Sequence, residues 1–205
     1  MKTAEELYKV VWGKTLLPPT VFRLLYNHVR NIINLNIEGD FIECGVYKGG
    51  SARMIAEMLP LNKKLWCFDT FTGFTKEEEK KIFVDREKSV NLSLNDTTVE
   101  TVSEFLKDFN VNIIQGKVEN TLQNFNTKIC FGHIDCDSYD ATKFCLEKLY
   151  PLLNEGGIIV FDDYTTVEES KRVINEFCLR DNKIPLYVGD MYGGAYSQIY
   201  IIKEK

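Results

Sequence analysis

A chain of 205 residues, 44% hydrophobic and 27% charged, has the makeup of a globular protein with enough apolar content for one large core. Its net charge of −5 speaks against a nucleic-acid or anionic-membrane partner, and no apolar run reaches the length of a membrane span. The start, Met1-Lys2-Thr3-Ala4-Glu5-Glu6, is too acidic for a secretory or transit peptide, so a cytoplasmic protein of one domain, 1–205, is expected.

In chain order, the pattern predicts a helical N-terminal extension over 1–36, with helices at 3–12 and 19–36 separated by Leu17-Pro18-Pro19-Thr20. Val21, Leu24, Leu25, His28, Val29 and Ile32 share one face of the second helix, where His28 reads as a packing or surface residue. The remainder, 37–205, alternates. Strands are expected at 40–44, 64–69, 111–115, 129–135 and 157–161, with helices after the first, second, fourth and fifth. A helix near 167–179 and strands at 184–188 and 197–202 complete the chain. Joining the last two strands through Gly189-Asp190-Met191-Tyr192-Gly193-Gly194 reverses one of them. The expected fold is therefore α/β, a mostly parallel seven-stranded sheet with one antiparallel strand and helices on both faces. The stretch 72–97, rich in Lys, Glu and Asn, is the candidate for a lid, because loops of that length are usually functional or disordered. Six cysteines at 44, 67, 130, 136, 145 and 178 form no CxxC pair and read as small core residues in a reducing compartment, with Cys136 nearest the candidate site.

Two acid clusters directly follow apolar runs. Ile129-Cys130-Phe131-Gly132-His133-Ile134 leads into Asp135-Cys136-Asp137-Ser138, and Gly157-Ile158-Ile159-Val160-Phe161 leads into Asp162-Asp163-Tyr164. Continuous apolar runs mark strands buried on both faces of a parallel sheet. Between them Phe144, Leu146, Leu149, Leu152 and Leu153 recur at helical spacing, and Asn154-Glu155-Gly156-Gly157 is expected to close the helix. In such a β-α-β unit both strands end at the same sheet edge, so Asp135, Asp162 and Asp163 can meet around one hard divalent cation such as Mg²⁺. In an extended strand exit, Asp137 would point to the same side as Asp135. The plainer reading makes these aspartates helix caps.

The first strand ends in Glu43-Cys44-Gly45-Val46-Tyr47-Lys48-Gly49-Gly50-Ser51, which is not GxGxxG. Its glycines permit a tight turn, but an acid there would repel a pyrophosphate, so a cationic or hydroxyl-rich ligand suits it better. The next strand ends at Asp69, where a Rossmann-type sheet presents an acid to a ribose diol.

Together, FIECGVYKGGS, FDTFTGF, IDCDSYDATKFCLEKLYPLL and GGIIVFDDY resemble the macrocin O-methyltransferase family over roughly residues 40–165. The resemblance implies a Rossmann-like class I methyltransferase that uses S-adenosylmethionine and Mg²⁺ to methylate hydroxyls of sugars and glycosides. It implies that Glu43, Gly45 and Ser51 lie near the methionine part of the cofactor, and Asp69 and Phe71 near its ribose and adenine. It further implies Asp135, Asp162 and Asp163 as the metal ligands and Asp137 as the general base. The chain departs from the family in carrying His133 where Arg is usual, and in its 75–110 stretch. The expected partner is a small-molecule or glycan acceptor, with no nucleic acid, no membrane insertion and a homo-oligomer left open. Three other readings stand beside this one: a catechol-type methyltransferase acting on a phenolic diol, a nucleotide-dependent oxidoreductase, and a non-catalytic binding module. The oxidoreductase would want a glycine turn free of Glu43, and the binding module gives no reason for Asp137 beside Asp135.

Overall fold

Apolar strands alternating with amphipathic helices wind into one sheet in the structure, a computed structural model that describes residues 1–76, 93–162, 164–165, 167–188 and 198–204. Its strands are β1 (Asp40–Cys44), β2 (Leu65–Asp69), β3 (Val111–Gln115), β4 (Ile129–Ile134), β5 (Leu153–Phe161), β6 (Leu186–Val188) and β7 (Gln198–Ile202). They lie in the order β3-β2-β1-β4-β5-β7-β6. The pairs among β1 to β5 are parallel, whereas β7 runs antiparallel to both β5 and β6 and is the reversed strand expected from the terminal hairpin.

Side chains alternate across the strands, so each sheet face has its own core. On one face Phe41, Phe131 and Val160 pack under α1 (Ala4–Val10), α2 (Pro19–Asn34), α3 (Gly50–Met58) and α4 (Val99–Leu106). On the other, Ile42, Ile134, Ile159 and Phe161 pack under α5 (Val118–Thr121), α6 (Tyr139–Leu149) and α7 (Glu168–Arg180). Local signals fix several helix starts. Thr3 and Glu6 form a reciprocal capping box on α1, Ser138 caps α6, and Thr98 caps α4.

Two expectations are corrected. The segment Asn154-Glu155-Gly156-Gly157 does not close a helix. Helix α6 ends at Leu149, a 3₁₀ turn follows at Tyr150–Leu152, and β5 already begins at Leu153. Gly156 (φ +78°) and a register slip between Ile129 and Phe131 absorb the irregularity, which explains why glycine stands inside a strand. No helix is expected after the third strand, yet the short α5 stands there, with too few apolar residues to show periodicity. Residues 77–92 of the candidate lid, the 189–194 connection and Asp163 lie outside the described residues. Among the described residues no helix is long and apolar enough to cross a membrane.

Candidate functional site

Parallel winding brings the carboxyl ends of β1, β2, β4 and β5 to one edge. A cavity of about 340 Å³ opens there, walled by Gly45, Ser51 and Asp69 on one side and by Asp135, Asp137 and Asp162 on the other. Gly45 sits where the two sides meet. Its φ is +89°, and a Cβ there would lie 1.8 Å from the Asp135 carbonyl oxygen, so only glycine fits.

Asp69 organises the first side. One carboxylate oxygen, Oδ2, accepts the N–H groups of Val46 (2.6 Å) and Tyr47 (2.8 Å), and Oδ1 accepts the N–H of Phe71 (2.7 Å). Tyr47 (φ +50°) and Phe71 (φ +54°) both have left-handed backbones, a strained state for bulky residues that these hydrogen bonds hold in place. A carboxylate offers about four acceptor positions, so one remains for a ligand hydroxyl. Ser51, on the first turn of α3, lines the same side.

Glu43 and Phe71 are placed differently from the sequence expectation. Glu43 has no exposure at all and pairs with His133, Nδ1 to Oε1 at 2.8 Å, beneath the cavity rather than in its wall. The two residues are direct neighbours on β1 and β4. Burial pulls the His133 imidazole down, but the Glu43 hydrogen bond and the charges of Glu43, Asp135 and Asp162 outweigh it and push its pKa up to about 9. A buried His133–Glu43 pair therefore lies under the site, with the charged form of the histidine favoured. Phe71 turns into the core at 5% exposure, and Phe68 lines the cavity instead.

The second side is electrostatically tense. Desolvation raises the Asp135 carboxyl well above the usual range, and the neighbouring charge of Asp162 raises it further, with His133 opposing and Asp137 adding. Desolvation likewise raises Asp162, against His133 and a 2.9 Å hydrogen bond that its Oδ1 accepts from Gln198 Nε2. Two acids thus share a space that disfavours charging both, and a bound cation would relieve that repulsion. Asp135 and Asp162 fit as ligands of a hard divalent ion, while their third expected companion, Asp163, lies outside the described residues. Among the described residues no three acidic, His or Cys side chains gather around one point. Asp137 lines the cavity, but not by strand alternation: β4 ends at Ile134, and Asp137 has φ +54°, so a left-handed turn aims it. Ser138, rather than Asp137, caps α6, through an N–H of Ala141 at 3.3 Å.

Several wall residues carry no sequence signal. The α1–α2 connection contributes Lys14, Thr15, Leu16 and Leu17, held because the N–H of Gly50 donates to the Lys14 carbonyl at 3.0 Å. Behind the wall, Gln198, fully buried on the neighbouring strand β7, steers Asp162. From the candidate lid, Thr72, Gly73, Phe74, Thr75 and Leu94 line the cavity.

A sheet in this order with its last strand reversed, opening a cavity between a glycine turn after β1 and acids after β2, β4 and β5, is the fold of class I methyltransferases. Within that fold class, the chain belongs to the macrocin O-methyltransferase (TylF) family, whose model matches residues 12–196 and bears out the resemblance in the motifs. It is 27% identical over 148 residues to the 8-demethyl-8-(2,3-dimethoxy-alpha-L-rhamnosyl)-tetracenomycin-C 4'-O-methyltransferase of Streptomyces olivaceus, covering 66% of this chain and 57% of that protein. It is 28% identical over 167 residues to the mycinamicin III 3''-O-methyltransferase of Micromonospora griseorubida, covering 75% and 65%. The chain thus spans about three fifths of the length of these relatives. The structure of the O-methyltransferase NovP superimposes with a TM-score of 0.78 at 19% identity, covering 94% of this chain and 83% of that one, which shows the shared fold.

Proposed function

We propose that this protein is an S-adenosylmethionine- and Mg²⁺-dependent O-methyltransferase acting on a hydroxyl of a sugar or glycoside. One observation carries the reading. A turn shaped by Asp69 faces, across one cavity, a desolvated pair of carboxylates with a third acid, Asp137, beside them. The family supports the reaction class, and a relative named for a rhamnosyl-bearing acceptor supports the sugar.

S-adenosylmethionine supplies a methyl group on a sulfonium, an electrophile that an alcohol oxygen attacks in line. Gly45, Ser51 and Asp69 would hold it, with the last acceptor position of Asp69 available to a ribose hydroxyl and Glu43, paired with His133, supporting the turn from below. Mg²⁺ held by Asp135, Asp162 and Asp163 would make an acceptor hydroxyl more acidic. Asp137 would take that hydroxyl's proton as its oxygen bonds to the methyl carbon and the donor's S–C bond breaks, leaving S-adenosylhomocysteine. His133 and Gln198 fix the floor beneath these groups: one balances the surrounding carboxylates, and the other sets the rotamer of Asp162. The rigid edge supplies alignment, which a displacement of this kind needs most.

Incubation with methyl-labelled S-adenosylmethionine, Mg²⁺ and a panel of rhamnosides, other glycosides and catechols tests the proposal. Label should pass to a sugar hydroxyl and stop when Mg²⁺ is chelated. Transfer only to the catechols would move the acceptor to phenolic diols. Full activity in chelator would remove the metal, and binding of NAD but not S-adenosylhomocysteine would remove the methyltransferase reading.

A further inference from the structure

Leu94 lines the cavity from a backbone with φ +50°, a conformation that a bulky residue keeps only under restraint. Restraint comes from both sides. Before it, the N–H of Phe74 donates to the Ser93 carbonyl at 2.9 Å, where Gly73 approaches so closely that a Cβ would lie 1.9 Å from that oxygen. After it, Asp96 accepts the Tyr47 hydroxyl on Oδ1 (2.7 Å) and the Lys48 ammonium on Oδ2 (2.5 Å). Two residues further on, Thr98 caps α4, whose Val102 packs against the turn at Gly49.

Tyr47 is therefore held at two points. Its N–H donates to Asp69 inside the cavity, and its O–H donates to Asp96 outside. A continuous path, Asp69–Tyr47–Asp96–Leu94, joins the β1 turn to the far wall. Asp96 itself does not line the cavity.

We propose that Asp96 is a positioning residue for the methyl donor: by tying Tyr47 and Lys48 of the β1 turn to the 93–97 segment, it holds Leu94 in the cavity wall. This rests on the reading above that S-adenosylmethionine occupies the cavity. The hydrogen bonds from Lys48 and Tyr47 keep the Asp96 carboxyl below its usual range, so the contact is charged at neutral pH. Because the Asp96 side chain is 61% exposed, the ion pair adds little to global stability. Its effect belongs in ligand affinity.

The test is calorimetric titration of S-adenosylhomocysteine into the parent protein, Asp96→Ala, Asp96→Asn, Leu94→Ala, the Asp96→Ala/Leu94→Ala double variant and Tyr47→Phe, with thermal melting alongside. Asp96→Ala and Leu94→Ala should each bind about tenfold more weakly, the scale at which outer contacts tune a site. The double variant should be no more than about twofold weaker than the weaker single one, because the same wall is lost either way. Tyr47→Phe should show part of the loss, and Asp96→Asn, which still accepts the phenol, should recover part of it. Melting temperatures should stay close to the parent's. An Asp96→Ala variant that binds within twofold of the parent, or losses that simply add, would overturn the proposal while leaving the cofactor reading intact. A parent protein that binds no S-adenosylhomocysteine overturns both.

Discussion

The two halves of the cavity use the same residue type in opposite ways. Asp69, at the end of β2, accepts three backbone N–H groups and shapes the chain around it. Asp135 and Asp162, at the ends of β4 and β5, are desolvated and repel one another. An acid satisfied by the protein supplies structure, whereas an acid left in tension supplies binding potential. The two histidines repeat the contrast. His133, paired with Glu43, is pushed up to about 9. His28, half-buried against Tyr200 and with no hydrogen-bond partner on Nε2 among the described residues, is lowered by desolvation to about 4.

The sharpest way to break this contrast is at Asp137, which belongs to the tense half but is assigned chemistry rather than binding. Asp137→Asn should lower turnover by about two to four orders of magnitude, the usual worth of a general base, with metal and cofactor affinity preserved. Turnover within threefold of the parent at saturating Mg²⁺ would return Asp137 to a purely local role.

Next in size is Asp69. Removing an acceptor from three N–H groups, two of them on left-handed residues, should cost about 3 kcal/mol in denaturant unfolding, and cofactor binding should weaken in the same variant. If Asp69→Ala loses affinity but no stability, Asp69 is a ligand contact rather than an organiser.

The histidines separate by pH. The depressed pKa of His28 means that the unfolded chain takes up a proton first, so stability falls as pH drops from 6.5 toward 4. The raised pKa of His133 stabilises the fold fully below 6.5 and is lost as pH rises through about 9. Each limb is worth at most about 3 kcal/mol. Relative to the parent, His28→Phe should flatten the acid limb and His133→Gln the alkaline one. Unfolding midpoints measured across pH 4–10 check both, and identical profiles would dissolve the contrast.

The smallest expected effect has the opposite sign. Asp135→Asn removes one of two repelling charges and should raise metal-free stability by about 1 kcal/mol while abolishing methyl transfer. A destabilised variant would mean that Asp135 is better satisfied than its neighbours indicate.

Much of this was legible in the chain. Uninterrupted apolar runs ending in acids placed β4 and β5 and brought Asp135 and Asp162 to one edge, because burial on both faces leaves no other pattern. Contacts that depend on sheet order were not legible. Glu43 looked like a ligand for a cation entering the cavity, yet its partner is His133, ninety residues away and opposite it only once β1 and β4 pair. Gln198 reaches Asp162 for the same reason. Alternation suggested the right direction for Asp137 by the wrong route, since a left-handed turn replaces the extended exit. The α1–α2 connection enters the wall through a carbonyl, a group every residue carries and no motif can mark.

Gly45 gives the two halves a common boundary. With room for no atom between its α-carbon and the Asp135 carbonyl, the distance from the Asp69 side to the Asp135 side is set by backbone touching backbone rather than by any adjustable side chain. The site thus carries a built-in gauge. In the proposed methyl transfer, a displacement that tolerates little error along its line of attack would be measured against hard-sphere contact, so its tolerance would be that of peptide geometry itself.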